Sequence, residues 1–297
     1  MTPAPSISCI IPTHQRDDML LRAIDSVLSQ TVSPAEVIVA DDTGSDTTRA
    51  LVERIDAQSE VPVRYVDARN EFNSAGASRN AGVEVSSGEL IACLDDDDAW
   101  HPRFLEATQR ALQAETRAEL AVSWVEQIRG DKTWPGETIR AGHSPSSAAI
   151  PPAGMSGGNF LITREAWSAI GGFDPRARGL NDADFFIRYL ESGRDYVVVE
   201  ERLLRRHLHD LGQLTTKSLG RVEALRYFYA KHEAKFSRAQ KREMRRMIHS
   251  QLRVADPSWV KRIYHLFGQL LTGNPVRPVV GVWNRLRGFT YSPGRRG

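Results

Sequence analysis

The stretch GELIACLDDDDAWHP, residues 88–102, restricts the fold more than any other. Its apolar run from Leu90 to Leu94 is of strand type and reads as a strand covered on both faces of a sheet. It stops at four consecutive carboxylates, Asp95 to Asp98. Four adjacent like charges repel one another and cannot all be buried without a counter-charge. In open α/β sheets ligands bind beyond the carboxyl ends of strands, and an acidic end there suits a hard divalent cation carrying a diphosphate. The alternative is a solvated acidic turn ahead of a helix begun by Pro102.

The chain before this stretch repeats the pattern. Residues 7–12 read as a first buried strand, and residues 16–30 carry Met19, Leu20, Ala23, Ile24, Val27 and Leu28 on one helical face. Residues 36–40 are a second strand, again ending in acids, Asp41 and Asp42. A helix to about Ala57 and a strand over residues 61–66 follow, then a helix over 74–86 with Ser74 as its N-cap. This alternation predicts a parallel sheet of doubly wound type.

Beyond Pro102 the regularity breaks. The pattern predicts a helix over 102–115, a strand over 120–125, and a long Gly/Ser/Ala/Pro-rich loop over 141–156. A short strand over 159–162, a Thr163-capped helix to Ile170 and a turn at residues 171–174 come next. A helix over 183–190, led by Asn181 and Asp182, precedes a late strand over 196–199. From Leu219 the pattern is helical and basic. The two expected domains are residues 1–216 and 217–297.

A chain of 297 residues has ample material for a core. Neither a signal peptide nor an apolar run near the ~18 residues of a membrane span is visible, which leads to the expectation of a cytoplasmic protein. Both cysteines, Cys9 and Cys93, lie in strand-like runs and read as reduced core residues. The net charge of +2 conceals an asymmetry: residues 217–297 hold eighteen Lys/Arg and four Asp/Glu, leaving twenty-one and thirty-three to the rest. An acidic body with a basic tail is a statement about partners.

Six motifs in order carry a resemblance. They are IIPTHQR (residues 10–16), EVIVADD (36–42), SRNAG (78–82), LDDDDAW (94–100), GGFD (171–174) and NDAD (181–184). Over roughly residues 6–215 the chain resembles an inverting family-2 glycosyltransferase. The resemblance implies a GT-A fold, a Rossmann-like mixed sheet with helices on both faces. It also implies a divalent metal, Mn2+ or Mg2+, and a nucleotide-sugar donor, with a UDP-sugar favoured. Pro12, Thr13 and Arg16 would line the nucleotide, Asp42 would hydrogen-bond its base, and Arg79 would face the nucleotide or brace the sheet. Asp95-x-Asp97 would be the DXD motif, with Asp97 as direct metal ligand, Asp95 as a second, and Asp95 and Asp96 near the ribose. His209 would join the metal or the diphosphate, an isolated surface histidine being the alternative. Trp100, Gly158, Asn159 and Asn181 would face the sugars, although Gly157-Gly158-Asn159 also reads as a tight turn. Asp182 would be the catalytic base, kept ionised by a helix N-terminus, or else only an N-cap. Asn181 departs from the family, which usually has Glu there.

The chemistry asks for these residue types. A departing nucleoside diphosphate gathers negative charge that a divalent cation stabilises, and an acceptor hydroxyl must lose its proton to a placed carboxylate. No QxxRW motif of processive synthases is present, so one sugar per encounter is expected. The acceptor would be a glycan or lipid-linked precursor of cell-surface polysaccharide. In the tail, Trp259, Ile263, Leu266, Phe267 and Leu270 share one face, and Val276, Val279, Val280, Trp283 and Leu286 another. Flanked by basic residues, these faces suit an anionic membrane surface, the catalytic domain or a second subunit. No nucleic-acid motif accompanies the charge. The alternative function is a catalytically silent nucleotide-sugar-binding protein.

Overall fold

The computed structural model of the chain describes residues 4–209, except 73, 137 and 140–153, and residues 219–267, except 256, 257, 259, 262 and 263. It divides into two compact units, residues 1–211 and 212–297.

The first unit begins with the expected alternation. Strands β1 (Ile7–Thr13), β2 (Glu36–Asp41), β3 (Val63–Asp67) and β4 (Leu90–Cys93) are separated by helices α1 (Asp17–Leu28), α2 (Asp46–Asp56) and α3 (Ala75–Glu84). All neighbouring pairs among these strands are parallel, in spatial order β3-β2-β1-β4. The second half adds β5 (Ala99–Trp100), α4 (Phe104–Ala114), β6 (Ala118–Arg129), β7 (Lys132–Pro135), β8 (Phe160–Thr163), α5 (Arg164–Ala169), α6 (Asn181–Glu191) and β9 (Asp195–His207). The sheet continues β4-β8-β6-β9-β5, with β7 paired to β6. Antiparallel β8 sits between β4 and β6, and β9 runs parallel to β6. The carboxyl ends of β1, β2, β4 and β9 therefore point the same way, and the sheet is mixed rather than wholly parallel.

Period-two alternation puts two cores on the two faces. Ile7, Cys9 and Ile11 of β1, with Val37 and Val39 of β2, pack with Leu20, Ile24 and Val27 of α1 and with Phe104. Ile10, Ile38, Ile91 and Cys93 face the other way, against Trp167, Phe173, Phe185 and Phe186. Strands buried on both faces read as continuous apolar runs, which is why they were visible in the sequence. Cys9 and Cys93 are free and buried, and burial raises both thiols, Cys93 to about 12.

Two elements differ from the sequence pattern. Strand β9 runs on to His207, past residues 200–206, which are largely charged; Arg205 faces Glu126 at 3.8 Å and Arg202 lies over the Trp124 ring at 5.5 Å. Paired charges can occupy a strand whose face is open, and a charged run then hides it from pattern reading. Helix α6 already includes Asn181 and Asp182, and its N-cap is Leu180, so Asp182 is not a cap. Ser74, Ser45 and Thr163, by contrast, accept from the N–H of the third residue on, as N-caps do.

In the second unit α7 (Leu219–His232) and α8 (Arg238–Ala255) bury Val222, Leu225, Phe228, Phe236, Met244 and Leu252. Trp259, Ile263, Leu270 and the second apolar face expected over 276–286 lie outside the described residues, as does most of the loop expected at 141–156. Val260, Tyr264 and Phe267 are exposed. No described helix is long and apolar enough to cross a membrane.

Candidate active site

The site is built where β1, β2, β4 and β9 end. Asp41, the last residue of β2, is fully buried and accepts from Thr43 N–H and hydroxyl, Ser45 N–H and Tyr65 hydroxyl at 2.6–2.9 Å. Burial opposes its charge, but these bonds outweigh it and hold the carboxyl below its usual value. Asp41 thus fixes the turn, and Asp42 is the one presented, 2.6 Å from His14 Nδ1.

The acidic stretch turns back on itself through a bond from Asp98 N–H to the Asp95 carbonyl. Each of its four carboxylates is held differently. Asp95 is paired with Arg79, which is 3 % exposed and lies over the Phe173 ring. Asp96 accepts from Thr13 Oγ1 at 2.9 Å and His14 N–H at 3.3 Å. Arg16 Nη1 bridges Asp96 Oδ1 at 3.2 Å and Asp97 Oδ2 at 3.1 Å. Burial raises Asp96 to about 6, with Asp97 adding to this and Arg16 opposing it. Asp97 Oδ2 also lies 3.0 Å from His209 Nε2, and Arg22 donates to the Asp97 carbonyl at 2.7 Å. Asp98 accepts the main-chain N–H of His207 at 2.9 Å; burial pushes its carboxyl up, and Asp95 and Asp97 add to the shift.

These residues fit a divalent cation. Oxygens of Asp95, Asp97 and Asp98 lie within 4.8 Å of one another. Two ligands at right angles on an octahedral ion with bonds of about 2.1 Å stand about 3.0 Å apart. Asp97 Oδ2 and His209 Nε2 have that separation. The His209 Nδ1 is buried without a hydrogen-bond partner, so only Nε2 faces the cluster's charge.

Asp182 is half-buried, and its Oδ1 accepts from Ala183 N–H at 2.8 Å. Burial raises its carboxyl, Asp95 adds to the rise, and the Ala183 bond, Arg79 and Arg206 oppose it. The upward effect of burial thus outweighs the favourable effects of the Ala183 bond and the two arginines. Asn181 Oδ1 accepts from the main-chain N–H of Asp182 at 2.8 Å, a neutral contact at the start of α6.

Two expected sugar contacts lie beneath the site instead. Trp100 is 2 % exposed, stacks on Phe104 with centroids 4.3 Å apart, and donates Nε1–H to the Gly158 carbonyl at 2.7 Å. Asn159 is wholly buried; its amide donates to the carbonyls of Ser123 and Gly154 and accepts from Ser156 N–H. With their polar groups spent inside the protein, neither can meet a sugar. Both hold the 156–159 turn. Gly157 is required there, because a Cβ would lie 2.6 Å from Arg79 Nη2, and Gly158 lies beside Asp95 N. Pro12 is buried in β1, opposite Ala40.

Three residues around the site escaped sequence reasoning, His14, Arg22 and Arg206, and Asp98 was legible only as one of four acids. Arg22 had the weak signal of a polar position on the first turns of α1. Nothing in the pattern marks which acid of a run of four is buried.

Known proteins resemble this chain in sequence and in fold. The putative colanic acid biosynthesis glycosyl transferase WcaA of Escherichia coli is 29% identical over 252 residues, covering 80% of this chain and 85% of that protein. The GalNAc(5)-diNAcBac-PP-undecaprenol beta-1,3-glucosyltransferase of Campylobacter jejuni is 34% identical over 94 residues, 32% of this chain and 30% of that one. Among solved structures, S. aureus TarS 1-349 in complex with UDP-GlcNAc has a TM-score of 0.59 at 14% identity, covering 90% of this chain and 71% of that one. The mannosyltransferase PcManGT from Pyrobaculum calidifontis, in complex with GDP-Man and Mn2+, has a TM-score of 0.60 at 17% identity, over 97% and 82%. These two likenesses are of fold, the GT-A type. The profile of Glycosyl transferase family 2 matches residues 8–181, from the first strand through the acidic cluster to the residue before Asp182, and the chain belongs to that family.

Proposed function

We propose that this glycosyltransferase moves one sugar from a nucleoside-diphosphate sugar, a UDP-sugar in the favoured reading, to an acceptor hydroxyl with inversion. The observation that carries the reading is the cluster of Asp95, Asp97 and Asp98, with His209 Nε2 3.0 Å from Asp97, beside the strand ends that hold Thr13 and Asp42 and the α3 residue Arg79. Asp95, Asp97 and His209 would hold a divalent ion, Mn2+ or Mg2+, which when bound supplies Lewis-acid stabilisation of the leaving diphosphate. Thr13, Arg16 and Asp42 line the nucleotide side, with Asp96 anchored between Thr13 and Arg16. Asp182 accepts the proton of the attacking hydroxyl, and its raised affinity for a proton suits that role better than a fully solvated acid would. Asn181 stands on the acceptor side.

The relatives' names support a glycan or lipid-linked acceptor in cell-surface polysaccharide assembly. The exposed Val260, Tyr264 and Phe267, in a segment with eighteen basic and four acidic residues, favour an anionic membrane surface as the second unit's partner.

The test is donor binding and hydrolysis. UDP- and GDP-sugars are titrated calorimetrically with and without Mn2+ against the parent and Asp97→Ala. The expected result is metal-dependent binding and slow release of free sugar by the parent, both lost in a folded Asp97→Ala protein. Equal nucleotide affinity of the two proteins in Mn2+ would sink the assignment, and binding without any turnover would leave a nucleotide-sugar-binding protein.

A further inference from the structure

Arg16 occupies a distinctive place. The chain leaves β1 and reverses at Gln15, whose φ of 53° lies in the left-handed region that non-glycine residues seldom adopt. The reversal brings the next side chain back over the acidic loop. Arg16 Nη1 then lies between Asp96 Oδ1 at 3.2 Å and Asp97 Oδ2 at 3.1 Å, with a quarter of its side chain exposed and both carboxylates mostly covered. The Asp97 oxygen it holds is the one that faces His209 Nε2. Arg79 is committed to Asp95, so Arg16 is the fixed positive charge paired with the middle of the cluster.

One oxygen cannot serve a guanidinium at 3.1 Å and a cation at about 2.1 Å from the same side without a rearrangement. We propose that Arg16 is the resident counter-cation of the acidic loop, and that a divalent ion binds by taking Asp97 from it. The inference rests on the metal reading above and adds a direction to it. Arg16 opposes the bare ion, since its charge repels the ion and its bond must be exchanged. A residue that merely helped to build the metal site would favour the ion instead.

The test needs no turnover. Mn2+ alone is titrated into the full-length protein, and free ion is read from its six-line electron paramagnetic resonance signal. Arg16→Gln and Arg16→Met, two neutral replacements of different shape, should bind Mn2+ about three- to fivefold more tightly than the parent, the scale of one partly covered ion pair. Arg16→Lys, which keeps the charge, should stay near the parent. Unchanged or weaker binding in both neutral variants overturns the proposal, and so does equal tightening by Arg16→Lys, which would make shape rather than charge the cause. Asp97→Ala separates the two readings. Mn2+ bound by it as tightly as by the parent overturns the metal site and this inference together. Loss of Mn2+ in Asp97→Ala without a gain in the neutral variants overturns this inference alone.

Discussion

The main-chain N–H of His207 donates to the Asp98 carboxylate at 2.9 Å, across 109 positions of sequence. This bond ties the end of β9 to the acidic loop, and His209 follows two residues later. Asp98 thus holds the segment that carries His209, besides facing Asp95 and Asp97 in the acidic cluster. Asp98→Ala removes the carboxylate acceptor of this part-buried N–H, at about 1 kcal/mol. It should lower thermal stability and weaken Mn2+ binding through loss of His209 from its place. Asp98→Asn keeps an acceptor oxygen and should recover most of the stability. If Asp98→Ala melts at the parent's temperature, the bond contributes nothing.

Asp182 should show a trade between stability and activity. Burial raises its carboxyl above the unfolded value. Its contribution to stability is therefore fully present below the unfolded value and is lost as pH rises through the folded one. At neutral pH the ionised group costs stability, so Asp182→Asn should melt higher than the parent there, and the gap should close in acid. Transfer should fall by ~10²–10⁴ while donor binding persists. In the parent, the acid limb of the rate profile should lie above the ordinary aspartate value of about 3.9. A limb at or below that value would contradict the role as base.

Gly157→Ala should act through Arg79. A methyl group 2.6 Å from Nη2 must push the guanidinium away from Asp95. Overpacking of this kind costs about 1–3 kcal/mol. Combined with Arg79→Lys, the substitution should cost less than the sum of the two single changes, as measured by a double-mutant cycle in urea. Strict additivity would place the strain elsewhere.

The basic tail predicts a surface. Each Lys or Arg close to anionic lipid contributes about 1 kcal/mol, fading within a Debye length. The protein should sediment with anionic vesicles, not with zwitterionic ones, and salt should release it. Removal of residues 257–297 should weaken the binding and spare soluble donor hydrolysis. A full-length protein that ignores anionic vesicles at low salt would contradict the membrane reading.

Much of this site was legible because strands covered on both faces write themselves as apolar runs, and acids at their ends stand out. Asp42, Asp95 and Asp97 were visible in that way, whereas Asp182 and His209 came only from the resemblance that the ordered motifs carry. What stayed hidden depends on where side chains turn. Trp100 and Asn159 look like exposed polar and aromatic contacts in the sequence, and the fold turns both inward to hold carbonyls. Strand β9 was half visible, since its later residues are charged and paired across the sheet, as Arg205 is with Glu126. The two-residue β5 is defined by its pairing with Arg205 and Leu204, a long-range fact that no local pattern encodes.

The two buried thiols carry a practical consequence. Cys9 and Cys93 are fully covered, and burial pushes both far from the thiolate form at which alkylating reagents react. The native protein is therefore blind to maleimides while folded. A single cysteine introduced at exposed Tyr264 or Gln15 would take a spin or fluorescent label on its own, with both natural cysteines left in place.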